Sequence, residues 1–130
     1  MKIFVLVFIS ITVVFAQKEM EHSFYIACWN VENLFDNVDN PDKEDDDFTE
    51  AGIKEWNDER VNEKLENIAH VMRLMNNGKG PDIIGMIEVE HKYLLDSLCN
   101  TFFPQRDYDV VGYESPDIRG IDNYFIYDNK

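Results

Sequence analysis

Pro81–Glu90 reads Pro-Asp-Ile-Ile-Gly-Met-Ile-Glu-Val-Glu. Its apolar residues run on without alternation, the pattern of a strand covered on both faces. This predicts a strand over Asp82–Val89. Glu88 stands at its end, behind Ile83, Ile84, Met86 and Ile87. A carboxylate ending so apolar a strand has to be paired, protonated or bound to a cation. A salt bridge to Lys92 or Arg119 is one reading. The other is a ligand for a hard cation such as Mg²⁺ or Mn²⁺, which takes one or two carboxylates with water and substrate phosphate.

Upstream of this strand, Val61, Leu65, Ile68, Met72 and Met75 recur at helical spacing. They form one apolar stripe and predict a helix over Trp56–Asn77. Asn57 or Asp58 can cap its start, and Asn77-Gly78-Lys79-Gly80-Pro81 stops it. His70 lies beside the stripe and reads as a partly buried structural histidine. Before the helix, Phe24–Trp29 is a second apolar run, read as a strand buried on both faces that ends at Asn30. Val31–Asp36 follows as a turn or short helical piece anchored by Leu34 and Phe35. A helix-sized crossover between two strands makes them parallel. Parallel neighbours bring their carboxyl ends to one rim, where ligands bind in α/β proteins. Asn30 and Glu88 are therefore offered to the same crevice.

Downstream, Tyr93–Phe103 reads as a short helix with Leu94, Leu95, Leu98 and Phe102 turned inward. Tyr108–Tyr113 and Ile121–Tyr127 read as strands, with a turn at Ser115-Pro116-Asp117 between them. The expected order is β-α-β-α-β-β, an α/β chain of one domain.

Hydrophobic residues make up 45% of the chain and aromatics 13%, which supports a packed core and argues against global disorder. The net charge is −14, from 12 basic and 26 acidic residues. Such a balance excludes a nucleic-acid binder that works through basic patches. It leaves room for an enzyme that meets phosphate through a bound cation, since the ion reverses the local field. Many of the acids lie in Asp36–Glu50, where a solvated loop is the usual meaning. The twelve-residue EF-hand pattern fails there: counted from Asp45, the glycine position holds Glu50 and the final glutamate position holds Trp56. Cys28 and Cys99 read as two buried free thiols, although export would allow them to pair.

Ile3–Phe15 is almost wholly apolar and is preceded by Lys2. It is shorter than the roughly 20 residues of a membrane span. It fits a secretory leader over residues 1–16, cut at Ala16–Gln17, with Gln17–Lys130 exported to the periplasm or the exterior. No membrane span and no stable oligomer are expected.

Phe24–Asp36, Phe-Tyr-Ile-Ala-Cys-Trp-Asn-Val-Glu-Asn-Leu-Phe-Asp, resembles the opening strand of the endonuclease/exonuclease/phosphatase superfamily, the DNase I-like enzymes. Pro81–Glu90 resembles that superfamily's second motif, and Ser115–Asp128 a third segment of its bacterial secreted members. Asp45-Asp46-Asp47-Phe48-Thr49 and the helix from Trp56 fit the same subgroup. The resemblance implies an α+β sandwich of four layers, of which this chain is the N-terminal half, a partial domain over residues 17–130. It implies hydrolysis of a phosphoester, in nucleic acid or another substrate, with Mg²⁺ (or Mn²⁺) and no covalent intermediate. Glu88 is then the metal ligand and Asn30 the active-site asparagine. Arg119 and Asp122 fall on the subgroup's Arg-Gly-Ile-Asp, where Arg119 is a candidate phosphate contact. Glu32 and Glu90 lie close by, in supporting or surface positions. The family's later Asp-x-Asn pair and Asp-His dyad have no counterpart, since the histidines are His22, His70 and His91. The expectation is a truncated member that is inactive by itself. The rival reading is an exported acidic module that binds divalent cations without catalysis.

Overall fold

The computed structural model describes residues 23–130. The expected leader, its cut site and His22 lie outside the described residues. The elements are β1 (Ile26–Leu34), a 3-10 turn at Asp46–Phe48, α1 (Asp58–Leu74), a 3-10 turn at Asn76–Gly78, β2 (Ile83–Val89), α2 (Lys92–Phe102), β3 (Tyr108–Tyr113) and β4 (Asp122–Asp128). This is the mixed α/β order read from the sequence. The strands form one four-stranded sheet in the order β1-β2-β4-β3. β1 and β2 are parallel, as the crossover requires, and β4 runs antiparallel to both β2 and β3.

α1 forms because its apolar stripe has something to cover. Val61, Leu65, Ile68 and Met72 are buried and share one cluster with Ile84 and Met86 of β2, Leu94, Leu95 and Leu98 of α2, and Ile126 of β4. The Asn57 side chain caps the start by accepting from the Arg60 N–H at 3.1 Å. The helix stops at Leu74, and the chain reverses through Asn76, Asn77 and Gly78, all at positive φ. We expect Asn57→Ala to cost about 1 kcal/mol, read as a lower urea midpoint with unchanged slope. His70 is exposed, not partly buried as the stripe suggested. The stripe is narrow, and His70 lies outside the sector that the sheet and α2 cover.

Two expectations for β1 are corrected. The strand does not end at Asn30 but runs on to Leu34, through an irregularity in the ladder. Nor is it covered on both faces: Ile26 is 69% exposed. Both helices pack on the sheet face that carries Ile84, Met86, Val110, Tyr124 and Ile126. The opposite face carries Ile26, Cys28, Phe125 and Val111, and these four are exposed. Cys28, expected to be buried, lies there against Gly85. Cys99 is buried on the inward side of α2, and both thiols are free. Apolar content alone does not say which face a helix will cover, which is why the two-faced reading failed.

The acidic loop after β1 is more than a solvated surface. Phe48 stacks on Phe35 at 4.0 Å between ring centroids and meets Trp56 edge-on at 5.7 Å. Trp56 Nε1 donates to the Phe35 carbonyl at 3.1 Å. Asp45 is buried and accepts from the Asn40 N–H at 3.1 Å. Three aromatic rings thus fold the loop back onto the start of α1.

Candidate metal and phosphate site

The carboxyl ends of β1 and β2 reach the same rim. Asn30 pairs with Ile87 in the ladder; the next pairing is Leu34 with Val89. Val31, Glu32 and Asn33 therefore face Glu88 alone. On its other side, β4 pairs Asn123 with Ile87 and Asp122 with Val89, again leaving Glu88 unmatched. Glu88 is thus the extra, bulged residue against β4, while on its other side the extra residues belong to β1; such irregularities are the device by which a sheet re-aims a side chain. Its φ is 65°, and Glu32 and Asn33 stand at 57° and 64°. Non-glycine residues adopt this left-handed region at a cost and cluster at functional sites.

This backbone fixes both sequence-predicted residues. The Asn33 N–H donates to Glu88 Oε2 at 3.1 Å. The Glu32 N–H donates to Asn30 Oδ1 at 2.8 Å. The two ion pairs that could have explained Glu88 as a structural residue are not formed. Lys92 pairs with Asp96 at 2.7 Å, and Arg119 pairs with Asp117 at 3.0 Å. Among the described residues Glu88 makes no salt bridge. Arg119 and Lys64 still feel its charge: the Arg119 guanidinium is raised first by its bond to Asp117 and in smaller part by Glu88. The Lys64 ammonium is lowered by burial, against the opposing pull of Glu32 and Glu88.

Arg119 and Asp122 play different parts here. Arg119 is exposed on the loop between β3 and β4, with Nε and Nη2 both on the Asp117 carboxylate. Asp122 is buried at the rim, beside Val89 in the ladder. Its Oδ1 accepts from the Ser115 N–H at 2.6 Å, which closes the loop that carries Arg119.

A second group lies just beyond the rim. Asp36, Glu90 and His91 bring three potential ligand atoms within 4.8 Å of one another. The Asp36 N–H donates to Glu90 Oε2 at 2.8 Å, and the Tyr93 hydroxyl donates to Asp36 Oδ2. His91 Nε2 lies 3.9 Å from both carboxylates. Glu90 is 2% exposed. Burial pushes its carboxyl up to about 8; the Asp36 N–H opposes this, and the charges of Asp36 and Asp45 add to it. Burial, with the bond to Asp36, also raises the Tyr93 hydroxyl. Sequence reading left Glu90 in a supporting role and gave Asp36 and His91 none. The available signal was position: Glu90 directly follows a buried strand and directly precedes a helix.

The family model described as Endonuclease/Exonuclease/phosphatase family matches residues 25–130. No curated protein and no solved structure matches the chain. Among the described residues, no helix is long and apolar enough to cross a membrane.

Proposed function

Because the chain belongs to the endonuclease/exonuclease/phosphatase family, whose chemistry is phosphoester hydrolysis, we propose that its rim is a divalent-cation and phosphate site built on Glu88 and Asn30. The observation that carries this is the state of Glu88. It stands where the ladder is irregular on both sides, accepts one backbone N–H, and has neither of its candidate ion-pair partners. The donor chemistry fits the group: a carboxylate oxygen such as that of Glu88 suits Mg²⁺, with Mn²⁺ as a substitute. When bound, such an ion neutralises phosphate charge and makes water a better nucleophile.

The chain's own residues then divide the work. Glu88 would hold the ion. Asn30, with its Oδ1 already taken by the Glu32 N–H, has its amide NH₂ left to donate to a phosphate oxygen. Asp122 holds the loop that presents Arg119. Arg119 reaches a phosphate only by giving up Asp117, an exchange of one bidentate anion for another. Nucleic acid is the substrate class we favour, with export supported by the leader-like Ile3–Phe15. One carboxylate and one amide do not make the whole catalytic set, so we expect the 130-residue chain alone to bind the ion without turnover.

Titration with Mn²⁺ tests the site. Glu88→Ala should weaken binding about 100-fold or more, the upper end of what loss of even a supporting residue costs. Equal binding by the variant would remove the site. Mg²⁺-dependent plasmid hydrolysis by the chain, lost in Glu88→Ala, would overturn the no-turnover reading alone. One observation favours the rival cation-binding module, namely the meeting of Asp36, Glu90 and His91. Tight Ca²⁺ binding that survives Glu88→Ala but not Asp36→Asn or replacement of Asp45–Asp47 would decide for it.

A further inference from the structure

Lys64 sits in the middle of α1, and its Nζ donates to the Glu32 carbonyl at 2.7 Å. It is half-buried, and among the described residues it forms no salt bridge with a carboxylate. Among the described residues, its one hydrogen-bond partner is therefore a backbone carbonyl. That carbonyl belongs to a segment in which two successive non-glycine residues, Glu32 and Asn33, are left-handed. Such a conformation persists only where its surroundings over-determine it. The same segment supplies the N–H of Glu32 to Asn30 and the N–H of Asn33 to Glu88. One side chain from the helix thus holds the backbone that holds both site residues.

We propose that Lys64 is a positioning residue of the cation and phosphate site, setting the Glu32–Asn33 bulge that orients Asn30 and Glu88. The inference rests on the reading of Asn30 and Glu88 given above. Lys64 touches neither residue's side chain within ion-pair distance; it acts through the carbonyl. A charged donor suits this task, because hydrogen bonds from an ammonium are stronger than neutral ones. A positive charge beside an anionic rim also pulls the other way, since it competes with a bound cation. The geometric role predicts weaker cation binding when Lys64 is lost, and a purely electrostatic role predicts tighter binding.

The test uses the full chain with Lys64→Met and Lys64→Arg, read by amide correlation spectra without metal and by Mn²⁺ titration. Lys64→Met should move the amide signals of Glu32, Asn33 and Glu88 and weaken Mn²⁺ about tenfold, the effect expected of a supporting residue. Lys64→Arg should restore both. Unchanged or tighter Mn²⁺ binding in Lys64→Met, or unmoved amides, overturns the proposal. If Lys64→Met fails to fold, Lys64→Gln against Lys64→Arg decides it, since the Arg variant alone should keep the wild-type amide positions. The two readings fail separately. If Glu88→Ala binds Mn²⁺ like the wild type, the site reading falls, while the amide shifts still decide whether Lys64 holds the bulge.

Discussion

In chelator-treated buffer, the thermal midpoint of the chain should fall as the pH rises from about 5 to about 8, and Glu90→Gln should remove most of that slope. The direction follows from proton binding. Burial raises the folded Glu90 carboxyl to about 8, from 4.5 for the free side chain. Between these values the folded state keeps a proton that the unfolded state has released. Stability contributed by that proton is complete below the unfolded value and is lost as the pH climbs through the folded one. The slope is roughly 1.4 kcal/mol per pH unit while the difference is one proton, so the total is several kcal/mol. Glutamine mimics the protonated acid. It can accept from the Asp36 N–H, as Glu90 Oε2 does at 2.8 Å, and donate to Asp45. The variant should match the wild type near pH 5 and exceed it at pH 8. A wild-type midpoint that is flat over this range, or a variant that keeps the slope, would sink the assignment.

Phe35→Ala should cost about 3–5 kcal/mol, the usual range for a buried aromatic truncated to alanine. Phe35 is 1% exposed and stacks on Phe48, while its carbonyl holds Trp56. Removing the ring leaves a cavity and frees Phe48, the one aromatic anchor of the acidic loop. Urea unfolding followed by tryptophan fluorescence reads both effects: a lower midpoint and a native signal shifted toward that of a solvated indole. Asp36 follows Phe35 directly, so the loosened loop should also shrink the pH dependence assigned to Glu90. A loss below 1 kcal/mol would show that the loop is held by something other than this stack.

Much of this molecule was legible as sequence. Ile83–Val89, Tyr108–Tyr113 and the α1 stripe follow from apolar run length and period, and they appear within a residue or a few of where they were expected. The parallel pairing of β1 with β2 follows from the crossover between them. Asn30 and Glu88 could be placed on one rim because parallel strands end on the same side. What stayed hidden depends on partners distant in the chain. Nothing in Val31-Glu32-Asn33 signals two successive left-handed residues without glycine; the Glu32 carbonyl there accepts from Lys64, which comes from a helix far along the chain. Nothing local distinguishes buried Asp36 and Asp45 from the solvated acids around them, and only its place between a strand and a helix marks Glu90. Their burial follows from the Phe35–Phe48–Trp56 stack and from the turn out of β2.

By itself the sequence determined the order of elements, the parallel pair and the rim toward which the strands carrying Asn30 and Glu88 run. Those are consequences of periodicity and chain connectivity, which are local. Only the tertiary structure decided that Glu88 is free of Lys92 and Arg119, that Asp122 closes a loop, and that a buried Glu90, its carboxyl pushed up by burial, lies behind the rim. Each of those is a choice among several oppositely charged or hydrogen-bonding partners, and it is settled by which groups the packed core brings within about 3 Å, the reach of a hydrogen bond.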